Sequence, residues 1–289
     1  MIISVASGKG GTGKTTIAVN LSLSIDNVQL LDCDVEEPNA HIFLKPRITG
    51  RKKASILVPN VDEVKCTYCG KCREVCAYHA IAVLPRSNGK KGSVLVFPHL
   101  CHGCGACNLL CPQVAIKEVS REIGVIETGD KDEIQFVQGR LNIGEAMSPP
   151  LIRQVKEYIN AKRTVIIDAP PGTSCPVIAA VKGSDFCVLV TEPTPFGLND
   201  LILAVEVLRK LTIPLGVVIN RSDIGDGKVE DYCRKENIPI LMQIPFSREI
   251  AVSYSEGVPI VEMDISYKDK FINLYSDICR IKNEANTCY

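Results

Sequence analysis

The 289-residue sequence has no excess of charge of either sign and no long apolar run. Its 33 Lys and Arg residues balance 33 Asp and Glu residues, so the whole chain gives no electrostatic case for binding nucleic acid or a membrane. No charge-free apolar stretch approaches the roughly 18 residues that indicate a membrane-spanning helix. The N-terminus has no basic region before an apolar core, so no signal peptide is expected. We therefore expect a cytoplasmic protein.

A disulfide framework is excluded by the same expectation, although the chain has 14 cysteines. The cytoplasm keeps thiols reduced, so cysteines in this number require a metal-binding or catalytic explanation. The composition is otherwise ordinary for a globular protein, with 46% hydrophobic and 23% charged residues. The length is enough for one large α/β domain or two smaller ones.

A glycine-rich stretch near the N-terminus fits the phosphate-binding loop pattern G-x-x-x-x-G-K-[ST]. The stretch reads GKGGTGKTT, follows an apolar run typical of a strand, and precedes apolar residues at helical spacing. Strand, loop and helix in this order make a cradle of N–H groups that favours phosphate. Lys14 is expected to reach the β- and γ-phosphates, and Thr15 to ligate Mg²⁺. The residues expected to contact nucleotide are Gly8, Lys9, Gly10, Gly11, Thr12, Gly13, Lys14, Thr15 and Thr16.

Two carboxylates follow apolar runs, at positions where parallel sheets bind ligands. Asp34 follows the run VQLLD within the acidic stretch DCDVEEPN, for which a polar loop without a specific role is the alternative. Asp168 ends the run TVIID and precedes APPGT. A carboxylate at the end of a buried strand is typical of the Walker B aspartate, which holds Mg²⁺. The sequence therefore predicts a nucleotide site that includes Mg²⁺.

An internal repeat of 35 residues contains eight of the cysteines, and each copy reads C-x₂-C-x₂-C-x₃-C. This is the spacing of bacterial ferredoxins, in which the fourth cysteine of each run ligates the other of two clusters. We expect each fourth cysteine in the short helix that follows its loop. The predicted ligand sets are Cys66, Cys69, Cys72 and Cys111 for a first 4Fe–4S cluster, and Cys101, Cys104, Cys107 and Cys76 for a second. Zinc, which also binds C-x₂-C pairs, is the alternative.

The repeat lies in a segment that differs in composition from its surroundings. Residues 51–100 contain nine Lys or Arg and three Asp or Glu, and they interrupt the alternation of strands and helices. We therefore expect a small inserted ferredoxin-like α+β lobe at residues 60–118, within an α/β P-loop domain at residues 1–59 and 119–289. The larger domain should have a mostly parallel sheet with helices on both faces. We also expect a strand pair that turns at residues 128–130.

The motifs together resemble the deviant Walker A family of P-loop ATPases, which includes MinD, ParA, the nitrogenase iron protein and the Mrp-type ATPases. The loop carries the early lysine of that family as Lys9, and DxPPG at Asp168 resembles switch II of the Mrp-like branch. The resemblance implies a slow or partner-stimulated ATPase that is a homodimer with ATP, in which Lys9 contacts the other subunit's nucleotide. It implies that Asp34 lies near Mg²⁺ and the attacking water. The implied catalytic residues are Lys9, Lys14, Asp34 and Asp168, and the implied Mg²⁺ residues are Thr15, Asp34 and Asp168.

The same resemblance implies the walls of an adenine site and one further metal ligand. Asn220, Arg221 and Pro245 occupy positions similar to those near the base in this family. Cys175 follows Asp168 by seven residues, as a cluster ligand follows the switch II aspartate of the nitrogenase iron protein. Cys175 is therefore a candidate ligand at a dimer axis. The mixed charge of residues 267–281 argues against the basic membrane anchor of MinD.

Two functions fit these features. In the first, ATP-dependent dimerisation gates electron transfer through two 4Fe–4S clusters to a redox or metalloprotein partner. In the second, the protein carries or assembles iron–sulfur or other metal centres for a client, as Mrp-type proteins do. The C-terminal C-x-x-C of the Mrp carriers does not occur here, which favours the first, while Cys175 keeps the second open. Spatial organisation at a membrane is the weakest alternative, and no nucleic-acid partner is expected.

Overall fold

The chain divides into two compact units. The computed structural model describes residues 1–87 and 91–287, with side chains through residue 284. The first unit comprises Met1–Lys52, Ile126–Arg140 and Ile152–Tyr289, and the second comprises Lys53–Val125 and Leu141–Leu151. The segment 60–118 lies within the second unit, which extends beyond it on both sides.

Within the described residues, nine strands form one sheet in the order β11-β10-β9-β1-β8-β2-β7-β6-β3, and β4 pairs with β5. The strands are β1 Ile2–Ala6, β2 Val28–Asp32, β3 Arg47–Val61, β4 Ile81–Leu84, β5 Ser93–Val96, β6 Ile116–Lys131, β7 Ile134–Leu141, β8 Thr164–Asp168, β9 Phe186–Thr191, β10 Leu215–Asn220 and β11 Ile240–Ile244. The pairs β1–β8, β1–β9, β2–β8, β2–β7, β9–β10 and β10–β11 are all parallel. The predicted mostly parallel sheet is therefore confirmed.

Helices follow most strands of this sheet, as expected for a P-loop α/β fold, whereas β6 and β7 are joined by a turn. The helices are α1 Lys14–Ser24, α2 Ala40–Leu44, α3 Lys71–Val75, α4 Ala106–Leu109, α5 Pro149–Lys156, α6 Cys175–Val181, α7 Pro195–Lys210, α8 Lys228–Lys235, α9 Arg248–Ser255, α10 Ile260–Met263 and α11 Ser266–Thr287. Local sequence explains their ends: α7 begins after Thr194, whose side chain accepts the Gly197 N–H at 3.0 Å. In the part of the chain described, no helix combines the length and the apolarity needed to cross a membrane.

The core of the first unit lies around the central parallel strands. All residues of β2 and β9 are buried, which is why β9 is apolar as far as Thr191 rather than alternating. The C-terminal helix α11 contributes Phe271, Leu274 and Ile278 to this core. These three side chains therefore pack inside the first unit.

The predicted turn at residues 128–130 is wrong, because β6 continues through them to Lys131 and the chain turns at Asp132 and Glu133. Asp132 has a φ of 49°, in the left-handed region that turns use. Gly129 instead serves close strand packing, since a Cβ there would collide with the carbonyl of Arg47 in β3. This glycine therefore indicates that the backbones of β6 and β3 lie close together, and not that the chain turns here.

The second unit contains the antiparallel pair β4–β5, in which Ile81 lies opposite Val96. Its small core consists of Tyr68, Ile81 and Val83. Cys66 and Cys72 pack against this core, so the cysteine-bearing loops are part of the packing and not surface appendages.

Candidate functional site

The glycine-rich loop connects β1 to α1 and is braced by β10. Gly13 has a φ of 98°, and a Cβ there would lie 2.8 Å from Asn220 Nδ2, so this position accepts only glycine. Asn220, the last residue of β10, donates from Nδ2 to the Thr12 carbonyl at 2.9 Å. The loop is thus held in place before Lys14 and Thr15 begin α1.

Acidic side chains from two neighbouring strands meet beside the start of α1. β2 and β8 are in register with Asp32 opposite Asp168. Thr15 Oγ1 donates to Asp168 Oδ2 at 2.6 Å, while Asp168 Oδ1 is buried without a hydrogen-bond partner in the described residues. Asp32 accepts the N–H groups of Asn39 and Ala40 at 3.1 and 3.0 Å. Asp32, which sequence reasoning did not single out, therefore shapes the loop that carries Asp34.

The carboxylates of this group hold protons more tightly than isolated ones. Burial raises the pKa of Asp34 to about 6, although the nearby Lys14 ammonium lowers it. Burial and the charge of Asp168 raise the pKa of Asp32 well above its ordinary value. Burial also raises the pKa of Asp168, against the hydrogen bond from Thr15 and the charge of Lys14. Carboxylates gathered without enough countercharge favour a bound cation.

A cavity of about 350 Å³ opens beside this group and falls in the size range of small-molecule sites. The predicted residues that line it are Gly10, Gly11, Gly13, Lys14, Thr15, Thr16, Asp34, Asn220, Arg221 and Pro245. Gly8, Lys9, Thr12 and Asp168 are not among the lining residues. Glu37, Phe246 and Tyr254 also line the wall, but the sequence did not predict them. Glu37 and Phe246 lie close in the chain to the predicted residues Asp34 and Pro245. Tyr254 could have been suspected only because it is aromatic.

Lys9 is paired within its own chain by a residue that sequence reasoning missed. Its Nζ lies 3.2 Å from Glu192 Oε2. Arg221 Nη1 lies 3.1 Å from Glu192 Oε1, close enough for an ion pair but without the alignment of a hydrogen bond. Glu192 is only 7% exposed. Glu192 directly follows the end of β9 at Thr191. Its position as an acid at a strand end could therefore have marked it as a candidate site residue.

Eight cysteines line two separate cavities of the second unit, each with three members of one run and the fourth member of the other. The first cysteine cavity is lined by Cys66, Cys69, Cys72 and Cys111. The second cysteine cavity is lined by Cys101, Cys104, Cys107 and Cys76. The fold thus brings together the same two sets that the repeat predicts for the ligands.

The backbone of the two runs repeats with the sequence. Positive φ angles recur at 35-residue offsets, with 57° and 64° at Tyr68 and Gly103, and 85° and 74° at Gly70 and Gly105. In both runs the N–H two residues after the first cysteine donates to its Sγ at 3.4 Å. The N–H four residues after the fourth cysteine donates to that Sγ at 3.2 and 3.3 Å. The two runs are therefore copies in conformation.

The position of the fourth cysteines differs from expectation. Cys76 directly follows the end of α3 at Val75, and Cys111 lies beyond the end of α4 at Leu109. The fourth cysteines are therefore outside the short helices, and the third ones, Cys72 and Cys107, are inside them. Pro112 follows the fourth cysteine of the second run, and Ala77 stands at that position in the first. The turn is nevertheless the same in both, because the N–H three residues after each fourth cysteine donates to that cysteine's carbonyl at 3.1 Å.

The chemistry of these sulfurs suits a group that supplies positive charge. Burial raises the pKa of Cys107 to about 11, and the neighbouring Cys101 and Cys104 add to this effect. Across residues 1–87 and 91–287, no group of three or more His, Cys, Asp or Glu side chains is arranged to hold a metal ion. Cys175 is exposed at the first residue of α6.

Comparison with known proteins identifies the family to which the chain belongs. The family model described as the CobQ/CobB/MinD/ParA nucleotide binding domain matches residues 3–260. An uncharacterized protein of Methanocaldococcus jannaschii is 34% identical over 281 residues, which cover 93% of each chain. An iron-sulfur cluster carrier protein of Pyrococcus horikoshii is 24% identical, over 90% of this chain and 78% of that protein.

The fold itself is similar to that of solved structures. The cell division ATPase MinD of Pyrococcus furiosus has a TM-score of 0.59 at 21% identity, covering 97% of this chain and 98% of that chain. The septum site-determining protein MinD of Pyrococcus horikoshii, complexed with Mg-ADP, has a TM-score of 0.58 at 20% identity, covering 96% and 95%. At these identities the likeness concerns the fold.

Proposed function

This chain belongs to the CobQ/CobB/MinD/ParA family of nucleotide-binding domains, and we propose that it is an ATP-hydrolysing iron–sulfur protein. In this proposal, ATP-dependent dimerisation gates electron transfer through two 4Fe–4S clusters to a redox or metalloprotein partner. The observation that carries it is the crossed arrangement of the eight cysteines in two cavities. Crossed runs are the ligand arrangement of two-cluster ferredoxins.

The cysteine cavities fit such clusters by their donor sets. Cys66, Cys69, Cys72 and Cys111 hold the first cluster, and Cys101, Cys104, Cys107 and Cys76 hold the second. Each bound cluster supplies one-electron chemistry. The backbone N–H groups aimed at four of the sulfurs stabilise negative charge on those ligands. Residues 60–118 are in this reading a ferredoxin-like lobe.

The nucleotide residues divide into a phosphate side and a base side. Lys14 neutralises phosphate charge, and Thr15, Asp34 and Asp168 hold Mg²⁺ directly or through water. The buried, unpartnered Asp168 Oδ1 is the atom that such an ion satisfies. Asn220, Arg221 and Pro245 form the wall on the base side.

Dimerisation frees Lys9 from Glu192. In the single chain the Lys9 ammonium is already held by a carboxylate at 3.2 Å. Contact with the partner subunit's nucleotide exchanges that carboxylate for phosphate oxygens, and Glu192 keeps the Arg221 guanidinium as countercharge. The exchange makes the dimer depend on the negative charge of ATP.

The chain path connects the nucleotide site to the clusters. From Asp34 the chain continues through α2 and enters β3, which runs into the second unit at Lys53. A segment whose position responds to the γ-phosphate is a two-state element that ATP can bias. The lobe that follows is therefore tethered to a segment that nucleotide can bias.

The test is a redox titration of anaerobically purified protein with ADP and then with a non-hydrolysable ATP analogue. We expect about eight irons per chain, and a change with nucleotide in cluster potential or in the rate of oxidation by an acceptor. If the potential moves, ATP affinity must differ between the reduced and oxidised protein. Stoichiometric zinc would refute the cluster assignment, and identical potentials and rates would refute gating.

A second function, carriage or assembly of metal centres for a client, is favoured by two observations. Cys175 is exposed, and proteins named iron-sulfur cluster carrier protein are distant relatives. In this function Cys175 residues of two subunits share a labile centre that is passed on. Transfer of iron to an apo-acceptor that depends on Cys175 would favour it over electron transfer.

A further inference from the structure

The two cysteine cavities have the same backbone but differently charged walls. Positions 35 residues apart correspond, as the repeated turns show. Lys71 lines the first cavity, and its counterpart Ala106 lines the second. Val83 lines the first cavity, and its counterpart Glu118 lines the second. Among the described lining residues, the first cavity thus has a cation where the second has none, and the second has a carboxylate where the first has none.

The Glu118 carboxylate packs against the loop that bears the cysteines of the second cavity. A Cβ added to Gly105, which has a φ of 74°, would lie 3.3 Å from Glu118 Oε1. Asn108 Nδ2 donates to Oε2 at 3.5 Å. Glu118 is half-buried whereas Lys71 is exposed, so solvent screens the lysine charge more than the glutamate charge.

The nearby arginines do not cancel this difference. Arg86 and Arg121 are also counterparts at the 35-residue offset. Arg86 lies 5.4 Å from the ring centroid of Tyr68, whereas Arg121 Nη2 donates to Glu145 Oε1 at 3.0 Å. The first run also contains Arg73 and Glu74, whose counterparts Asn108 and Leu109 are uncharged, and this pair adds no net charge. On the side of the second cavity the buried carboxylate of Glu145 pairs with Arg121.

We propose that Glu118 and Lys71 make the two cluster sites unequal in reduction potential, with the site of the second cysteine cavity the lower. The inference rests on the proposed function, because it requires clusters in both cavities. A negative charge beside a cluster disfavours the addition of an electron, and a positive charge favours it. A single electron from a one-electron reductant therefore resides mainly in the site of the first cysteine cavity, and no bond is formed or broken.

The experiment is an anaerobic redox titration of the full chain, followed by electron paramagnetic resonance. Wild type should show two midpoints. Glu118→Gln should make reduction at the lower midpoint about threefold more favourable. This corresponds to a rise of about 28 mV in that midpoint, since tenfold is 59 mV for one electron. The higher midpoint should stay unchanged. Glu118→Val, which installs the counterpart residue, should act in the same direction. Lys71→Ala should lower the higher midpoint by a smaller amount.

A further variant assigns the midpoints. Cys76→Ser should remove the lower midpoint, because Cys76 lines the second cavity. A single wave in wild type, unmoved midpoints in Glu118→Gln, or loss of the higher midpoint in Cys76→Ser would overturn the inference. Iron content separates this failure from that of the proposed function: about eight irons with unmoved midpoints refutes only the inference, whereas zinc in place of iron refutes the function.

Discussion

Replacing Asp34 by Asn should stabilise the nucleotide-free protein at alkaline pH while removing a residue of the Mg²⁺ site. Burial raises the pKa of this carboxyl from 3.8 to about 6. A raised acid pKa means that the folded state favours the protonated form. The associated stability is fully present below about pH 4 and is lost as the pH rises through about 6.

The magnitude follows from the size of that shift. About two pKa units correspond to roughly 3 kcal/mol, and partial exposure of Asp34 reduces this to about 2 kcal/mol. The free energy of unfolding of Asp34→Asn should therefore exceed that of wild type by about 2 kcal/mol at pH 8 and equal it at pH 4. Urea unfolding at both pH values, without nucleotide or Mg²⁺, measures the difference.

The matched control is Glu36→Gln, which removes an exposed carboxylate two residues away. Its effect should be smaller at either pH, because an exposed charge keeps its water and the repulsion from Glu36 raises the pKa of Asp34 less than burial does. A difference between Asp34→Asn and wild type that is the same at pH 4 and pH 8 would refute the argument. So would a wild type that is the more stable protein at pH 8.

Three further outcomes are expected. Lys9→Ala should retain nucleotide binding by the single chain but lose ATP-dependent dimerisation and hydrolysis, as judged by sedimentation and phosphate release; unchanged turnover would contradict the role of Lys9. Cys76→Ser should halve the iron and spare the cluster held by Cys66 and its partners, and loss of that cluster instead would rule out crossed ligation. Cys175→Ser should lower iron beyond the two clusters or block transfer to an apo-acceptor if the carrier function holds, and no change in iron, spectra and transfer would make this cysteine structural.

Features encoded by residues close together in the chain could be predicted without the tertiary structure. The loop GKGGTGKTT places its glycines, lysine and threonine within one turn and the start of one helix, so local geometry decides its shape. The spacing of Cys66, Cys69 and Cys72 likewise decides the conformation of a single loop. The apolar runs before Asp34 and Asp168 predict buried parallel strands, because both faces of such a strand are covered.

Other features depend on residues that are distant in the chain. Glu192 pairs with Lys9 because β9 and β1 are neighbours in the sheet, an adjacency that no local pattern contains. Gly129 allows β3 to approach closely and does not form a turn. Glycine is compatible with both, so the sequence alone could not distinguish them, and strand packing did.

The phosphate loop, the strand-end acids and the two cysteine runs could be predicted from the amino-acid order, because each is encoded within a few consecutive residues. Their surroundings could not, because they come from residues that only folding brings near. The contrast between Glu118 and Val83 in the walls of the two cavities arises where strands of the second unit meet the cysteine loops. Burial raised the pKa of Asp34 because the fold removed water from a carboxyl group that the sequence alone leaves solvated.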